Sequence, residues 1–185
     1  MIEVNYIGHM GDDLSVVNAA RVSFGKKSKL VCTDIVRGVY AMSKGDTKLI
    51  KYLAKHKHIS PFGHAFASFH VKAPIFVARQ LVKHKKQGSD GVSHPPMHLS
   101  PLMNQVLDLY DQMIYDGVAP EQARMVLPQS TMTEWYWSGS LDAFADMCRL
   151  RCKEDTQYET RIVADQINDI MKPLFPLAWE ALLND

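Results

Sequence analysis

The polar residues best suited to bind a ligand or take part in catalysis share one face of a helix. The sequence predicts this helix directly after Pro74. Spacings of three and four residues set their side chains next to one another on a helix. They are Arg79, Gln80, Lys83 and His84. Cationic and amide groups in such an arrangement can hold a phosphate and a nucleobase. A solvated helix face has the same pattern, so the spacing alone leaves both interpretations open.

Arginines in the second half of the chain form another group of candidate ligands, since guanidinium groups bind phosphates and polarised carbonyls through two hydrogen bonds. They are Arg124, Arg149, Arg151 and Arg161. Nearby carboxylates allow ordinary ion pairing instead, and these are Glu121, Glu154, Asp155 and Glu159. For any one arginine taken alone, ion pairing is the favoured interpretation.

Several other kinds of site are disfavoured by the sequence. It contains no Gly-x-Gly-x-x-Gly and no phosphate-loop signature, and no serine or cysteine stands in a setting that would activate a nucleophile. Cys148 and Cys152 lie four residues apart on a predicted helix, where packing is the more common role. His94 and His98 occur in a proline-broken segment without a carboxylate partner, so we expect no metal site.

Composition is that of a globular protein. The chain has 185 residues, of which 46% are hydrophobic and 22% charged, and this suits a single domain over residues 1–185. A net charge of +1 argues against a nucleic-acid or membrane-surface binder. We expect neither a membrane span nor a signal peptide, because we see no apolar run of the kind that either requires. Three cysteines without a Cys-x-x-Cys pair are typical of a reduced, cytoplasmic protein.

The strand before Pro74 has the alternating pattern of a sheet with one buried face. The residues predicted to face the core are Ala65, Ala67, Phe69, Val71 and Ala73. Pro74 has no N–H to donate, so we expect it to end the strand and to occupy the first turn of the helix.

Turn residues and apolar spacing predict the remaining elements. We expect strands at 2–7 and 131–137, and helices at 14–22, 46–57, 102–115, 121–127, 140–152 and 154–174. Asp12 or Asp13 should cap the first helix and Asp46 the second, while Pro173 should break the last. Residues 19–24 are predicted to form a packed helix end, 25–43 give mixed signals, and 86–101 should be irregular.

Several ordered blocks of the sequence resemble the flavin-dependent thymidylate synthases. They lie at residues 13–23, 58–80, 123–128 and 151–161. They include His58-x-Ser60-Pro61-x-x-His64, Ala123-Arg124-x-Val126-Leu127-Pro128 and Gln157-Tyr158-Glu159-Thr160-Arg161. Because the blocks cover most of the chain in the order of the family, the match is far more specific than any single motif.

The resemblance implies an α+β fold, a sheet packed with helices, in a single domain that assembles as a homotetramer with active sites between subunits. The implied reaction is methylation of dUMP to dTMP. Methylenetetrahydrofolate supplies the carbon, FAD carries the hydride and NADPH reduces the flavin. Such an enzyme leaves the difficult chemistry to cofactors and needs no cysteine nucleophile.

The resemblance also implies residue roles. Arg161 matches the catalytic arginine, which contacts the uracil and promotes its ionisation. Contacts with dUMP are implied for Gln80, Lys83, Ser93, Arg124 and Arg161. Contacts with FAD are implied for His58, Ser60, Lys83, His84, Lys85, Arg149, Arg151 and Asp155.

The chain departs from the family after its predicted substrate helix. Lys83-His84-Lys85 stands where the family has Arg-His-Arg, which keeps the charge but loses the bidentate fork. The Asn, Glu and Arg that follow in the family are absent, and Ser93 matches by spacing alone. A few tens of residues are missing before Arg124. We interpret them as a segment of the protein that the sequence omits between Lys85 and Lys86. The alternative is that the protein has truly lost a dUMP-binding loop.

Two other functions remain open at this stage. A dUMP hydroxymethylase on the same scaffold would complete the reaction with water in place of hydride. A non-catalytic relative would keep the fold and bind nucleotide or flavin, and the lysine substitutions and missing residues motivate that hypothesis.

Overall fold

The computed structural model describes residues 1–34, 37–82 and 100–184. The strands found there are β1 (Glu3–Met10), β2 (Val31–Asp34), β3 (Val39–Ala41), β4 (Phe66–Pro74) and β5 (Met132–Ser140). The helices are α1 (Asp13–Arg21), α2 (Lys44–Lys55), α3 (Ile75–Val82), α4 (Ser100–Tyr115), α5 (Pro120–Ala123), α6 (Leu141–Arg151), α7 (Tyr158–Leu174) and α8 (Pro176–Leu183). Short 3₁₀ turns occur at Val22–Phe24, Ser60–His64 and Arg124–Val126.

The central sheet is antiparallel, with β4 between β1 and β5. On β4 the residues Ala67, Phe69, Val71 and Ala73 are buried, as the alternation predicts. The opposite face of the sheet carries polar pairs, including the hydroxyls of Ser68 and Ser138 at 2.8 Å. This antiparallel sheet, with helices over its apolar face, has the predicted α+β architecture.

Helices α6 and α7 cover the apolar face of the sheet. Phe69 of β4 meets Phe144 of α6 edge to face, with ring centroids 5.1 Å apart. A Cβ on Gly139 would lie 3.2 Å from Cε2 of Phe144, so this glycine allows α6 to approach β5 closely. The core continues through Ile167 of α7 to Trp179 of α8, a helix that the sequence did not predict.

The two acidic residues before α1 have different roles. Asp12 is the N-cap of α1, and its carboxylate accepts the N–H of Ser15 at 2.7 Å. Asp13 is only 6% exposed and accepts the backbone N–H groups of Leu177 and Ala178 at 2.9 Å each. Burial raises the pKa of Asp13 above its ordinary value. Asp13 therefore attaches the first turn of α8 to α1.

The prediction that Asp46 caps α2 is wrong. The N-cap is Ser43, whose hydroxyl accepts the Asp46 N–H at 3.1 Å. Asp46 lies inside the first turn and pairs with Arg21 of α1 at 2.6 Å, while the hydroxyls of Ser28 and Ser43 donate to it at 2.7 Å. Burial alone would raise the pKa of Asp46, but these donors hold the pKa below its ordinary value. The carboxylate thus connects α1 to α2.

Other boundaries differ from the sequence-based expectations. Strand β1 continues past Ile7 to Met10, with a register shift between Tyr6 and Gly8. Phe24 is 78% exposed, so 19–24 is not the packed helix end that we expected. Residues 25–43 contain the hairpin of β2 and β3. Helix α7 begins at Tyr158 rather than at residue 154. It continues through Pro173 and ends one residue later, at Leu174.

Helix α4 packs mainly against its own neighbours in sequence, α5 and the turn at Arg124–Val126. Large apolar side chains on it remain exposed, and these are Leu102, Leu107, Leu109, Ile114 and Tyr115. Helices in globular proteins gain most of their stability from packing an apolar face. Within the described part of the protomer, these side chains of α4 have no apolar core to pack against.

Candidate functional site

Two sequence blocks meet where α3 packs beside the start of α7. The Gln80 side-chain amide donates to Oε1 of Gln157, a residue 77 positions further along the chain. The hydroxyl of Thr160 donates to Oε1 of Gln80 at 3.0 Å, and Thr160 is fully buried. We call this cluster, which also includes Tyr158 and Arg161, the α3–α7 corner. The two hydrogen bonds fix the amide of Gln80.

Arg161 lies in the first turn of α7, next to Thr160. Its Nη1 donates to the backbone carbonyl of Glu154 at 3.1 Å, and its guanidinium carbon lies 5.8 Å from the ring centroid of Tyr158. In the described part of the chain it forms no ion pair with a carboxylate. The charge of Arg161 is therefore oriented by a neutral acceptor and an aromatic ring, and it is available to an anionic or polarised ligand.

Arg151 ends α6, close in sequence to the corner. It is 8% exposed, and its buried Nε has no hydrogen-bond partner among residues 1–34, 37–82 and 100–184. Arg149 instead forms an ion pair with Asp146, a carboxylate that the sequence had not suggested. Asp155 is exposed in the turn between α6 and α7. Of these predicted flavin ligands, Arg151 has the strongest need for a further acceptor, because a buried polar atom without a partner is costly.

His58 and Ser60 lie at the other end of β4, before the strand begins. His58 is exposed, and its ring stacks on Tyr52 of α2 with centroids 6.0 Å apart and an interplanar angle of 23°. Ser60 is exposed at the start of its 3₁₀ turn. At about 3.3 Å per residue, β4 spans roughly 26 Å from Phe66 to Pro74. One protomer therefore does not bring His58 and Ser60 to the α3–α7 corner.

Arg124 is exposed in the turn that follows α5. Within the described ranges its guanidinium has no partner, so ordinary ion pairing does not account for Arg124 there. Carbonyls of Gln129 and Thr131 accept the backbone N–H groups of Phe76 and Ile75. These bonds keep the segment after Arg124 beside the first residues of α3.

Four predicted ligands lie outside the residues that the structure describes: Lys83, His84, Lys85 and Ser93. The same holds for His94 and His98. Elsewhere, in the parts that are described, no three His, Cys, Asp or Glu side chains are grouped so that they could hold a metal ion. In those same parts, no helix has the length and apolar character that crossing a membrane requires.

Cys148 lies in the core, and the partly buried Cys152 packs against it. Cys148 is 2% exposed and its thiol lies 3.6 Å from the carbonyl of Ala164. A hydrogen bond with Cys152 and burial raise the pKa of the Cys148 thiol, so it stays protonated at neutral pH. This confirms the packing role expected from the sequence.

Sequence reasoning missed the partners of Gln80. Gln157 and Thr160 belong to the block that ends at Arg161, but we assigned no role to either of them. A signal was present in that block, since Gln157 and Thr160 lie three residues apart, a spacing that places two side chains side by side on a helix. The contact with α3 was not visible, because it joins residues far apart in the chain.

The described geometry can be compared with that of known proteins. Residues 5–177 match the sequence profile of the family described as thymidylate synthase complementing protein. A flavin-dependent thymidylate synthase of Thermus thermophilus is 34% identical over 212 aligned positions, covering 96% of this chain and 74% of that protein. One from Kosmotoga olearia is 33% identical and covers 95% and 87%. Since 212 positions exceed the 185 residues of the chain, these relatives contain positions with no counterpart in it.

A solved structure has nearly the same extent as this chain. It is a UMP/dUMP methylase, PolB of Streptomyces cacaoi, bound with 5-Br dUMP. The TM-score is 0.77 at 25% sequence identity, and the match covers 98% of this chain and 94% of that one. The similarity extends over almost the full length of both chains.

Proposed function

Because the chain belongs to the family of flavin-dependent thymidylate synthases, which are methyltransferases, we propose that it converts dUMP to dTMP by reductive methylation. Methylenetetrahydrofolate donates the carbon, FAD carries the hydride and NADPH reduces the flavin. The observation that carries this proposal is the α3–α7 corner. It joins Gln80 from one family block to Gln157 and Thr160 from another, in which Arg161 follows Thr160 directly.

The corner suits recognition of a pyrimidine. Gln80 is held by Gln157 and Thr160, so its amide has a defined orientation, as recognition of a nucleobase edge requires. Arg161 contacts the uracil, and its guanidinium stabilises the negative charge that develops on the ring as C5 becomes nucleophilic. Arg124, Lys83 and Ser93 complete the dUMP site, the two cationic residues binding its phosphate.

The residues assigned to FAD fit an anionic, extended group. FAD, when bound, supplies the hydride that completes the methyl group. Arg151 offers a buried guanidinium nitrogen that lacks a partner among the described residues, as expected of a ligand for the diphosphate. The other proposed FAD contacts are His58, Ser60, Lys83, His84, Lys85, Arg149 and Asp155.

The positions of these residues support active sites between subunits of a homotetramer. The reacting rings of flavin and uracil must touch, yet Ser60 and Gln80 of one chain flank opposite ends of β4, roughly 26 Å long. If the Ser60 end of β4 in one protomer packs against the α3–α7 corner of another, residues from both ends of the strand can line one site. The exposed apolar side chains of α4 supply a surface for such an assembly.

We also propose that residues 1–185 form one domain, with a family segment missing after Lys85. Three unpaired cysteines suit the reducing cytoplasm as the place where this reaction occurs. Nucleic acid and membranes have no role in the proposed reaction.

A second substrate is favoured by the likeness to PolB, which extends over nearly the whole of both chains. PolB is described as acting on UMP as well as dUMP. The longer curated relatives are thymidylate synthases by name. We therefore propose UMP as an alternative substrate of this chain, to be assayed beside dUMP.

Product analysis of the purified protein tests the function. It should be yellow, dUMP should perturb its flavin absorbance, and mass spectrometry should find dTMP when dUMP, methylenetetrahydrofolate and NADPH are supplied. A hydroxymethyl product would support the hydroxymethylase alternative. A colourless protein that takes up no FAD would contradict the proposal.

A further inference from the structure

The outer face of α2 carries a row of lysines. Spacings of four, three and four residues place them on one side of the helix: they are Lys44, Lys48, Lys51 and Lys55. All four are exposed, and we call them the lysine stripe. Between the first and the last the helix rises about 16 Å. Like charges at these spacings destabilise a helix, so the sequence tolerates a cost here.

The stripe is not neutralised within the described ranges. None of its lysines forms an ion pair there, and the one acidic residue of α2, Asp46, is buried against Arg21. Glu180 of α8 borders the groove beside Lys51 and Lys55 without pairing with either. A continuous cationic surface therefore faces solvent.

Aromatic side chains lie along one side of the stripe. Tyr52 contacts the rings of His56 and His58, with centroids 4.3 and 6.0 Å away. Tyr52 and the exposed Phe24 also line an open groove of about 420 Å³ that includes Lys26 and Lys48. Volumes in this range suit small-molecule ligands. The surface thus combines ring-stacking groups with a track of positive charge.

We propose that the lysine stripe binds the acidic γ-glutamyl tail of the folate co-substrate, so that the protein prefers polyglutamylated methylenetetrahydrofolate. This inference rests on the proposed function. The reacting end of the folate must reach the flavin, and His58, assigned to the flavin site, stands just past the C-terminal end of α2. A tail leaving that point toward Lys44 would meet Lys55, Lys51 and Lys48 in turn.

The observations favour a small acidic ligand over a second copy of the chain. Stable protein interfaces have an apolar centre. Along the stripe, Tyr52 is the one large exposed apolar side chain of α2. The acidic helix α4 instead exposes leucines, which need an apolar partner surface. Carboxylates spaced along a flexible tail can bind through opposite charge without an apolar surface, and the lysines of the stripe supply that charge.

Binding measurements on the FAD-loaded protein test this proposal. The triple variant K48Q/K51Q/K55Q changes exposed residues only, and circular dichroism checks its fold. We expect the wild type to bind tetrahydrofolate pentaglutamate at least about tenfold more tightly than the monoglutamate in titration calorimetry, as several charge pairs at a partly screened surface allow. The variant should lose that advantage while its affinity for the monoglutamate stays unchanged. Raising the salt concentration should reduce the advantage in the wild type.

Lys153→Gln and Lys172→Gln, at exposed positions outside α2, form the matched control and should retain the preference. Equal affinity of the wild type for both folates would overturn the inference, as would a preference that survives in the triple variant. A change in sedimentation of the triple variant with unaltered folate binding would assign the stripe to subunit contact instead. If dTMP forms from the monoglutamate without any tail preference, the inference fails and the proposed function stands. If neither folate binds and no dTMP forms, both fail.

Discussion

Arg161 has a charge that no described carboxylate neutralises. Its guanidinium donates to the carbonyl of Glu154 and lies over Tyr158, which leaves it oriented but uncompensated. An uncompensated cation in a site that closes around a ligand has its largest effect where negative charge develops during reaction. The proposed catalytic role of Arg161 therefore depends on the charge itself as well as on hydrogen bonding.

Replacing Arg161 with alanine should separate binding of the flavin from catalysis. We expect Arg161→Ala to retain FAD but to form dTMP at least about a hundredfold more slowly, the usual scale for loss of a charge-stabilising donor. Flavin absorbance and dTMP formation measure the two effects. Arg37→Ala, which removes an exposed arginine of the β2–β3 hairpin, is the control and should keep full activity. Activity of Arg161→Ala near that of the control would remove Arg161 from the catalytic site.

At this scale the sequence singled out candidate residues but not the contacts between them. Gln80 was singled out from its helical face, and Arg161 from the family block. Their connection through Thr160 joins positions 80 residues apart, a distance at which local spacing carries no information. The partner of Arg149 could have been predicted from the sequence. Asp146 lies three residues before it, a spacing at which side chains on a helix are neighbours.

Among the elements, α1 and α2 are joined by the carboxylate of Asp46. Its pKa is lowered in the folded protein, so its contribution to stability is present above the unfolded pKa near 3.8 and is lost as pH falls through the folded value. Asp46→Asn should be less stable than the wild type at pH 7 by about 2 kcal/mol, the scale of a hydrogen bond to a charged group. The difference should shrink as the pH falls below about 3.8.

Urea unfolding of both proteins in steps from pH 7 to pH 3 measures this difference in the free energy of unfolding. Asp169→Asn, an exposed position on α7, is the control and should differ little from the wild type throughout. A stability gap between Asp46→Asn and wild type that does not change with pH would mean that the ionised carboxylate is not the stabilising group.

Elements with a regular pattern were predicted best. Strand β4 alternates strictly and was found as expected, whereas α8 is apolar almost all round and has no amphipathic period to recognise. The hairpin of β2 and β3 is short, and its strands have no clear alternation. At the start of α2, Ser43 and Asp46 are both good capping residues, and only the backbone geometry decides between them.

For the whole molecule, α4 offers the clearest test of assembly. Leu109→Lys places a charge among the exposed apolar side chains of α4, so it should weaken association of protomers and reduce dTMP formation together. Asn104→Lys adds the same charge at an exposed polar position of α4 and should leave assembly intact. Sedimentation velocity measures the oligomeric state. If Leu109→Lys sediments like wild type, α4 does not form a subunit contact.

The length of β4 has a consequence for mixtures of damaged chains. Because Ser60 and Arg161 stand near opposite ends of this strand, a shared site would draw them from different protomers. Ser60→Trp and Arg161→Ala, each inactive alone, should therefore complement one another when unfolded and refolded together, and dTMP formation should return. Refolding each separately before mixing is the control, and no rescue after joint refolding would place both residues in one protomer's site. If activity does return, it is a property of the hybrid assembly, and two defective genes in one cell could together sustain it.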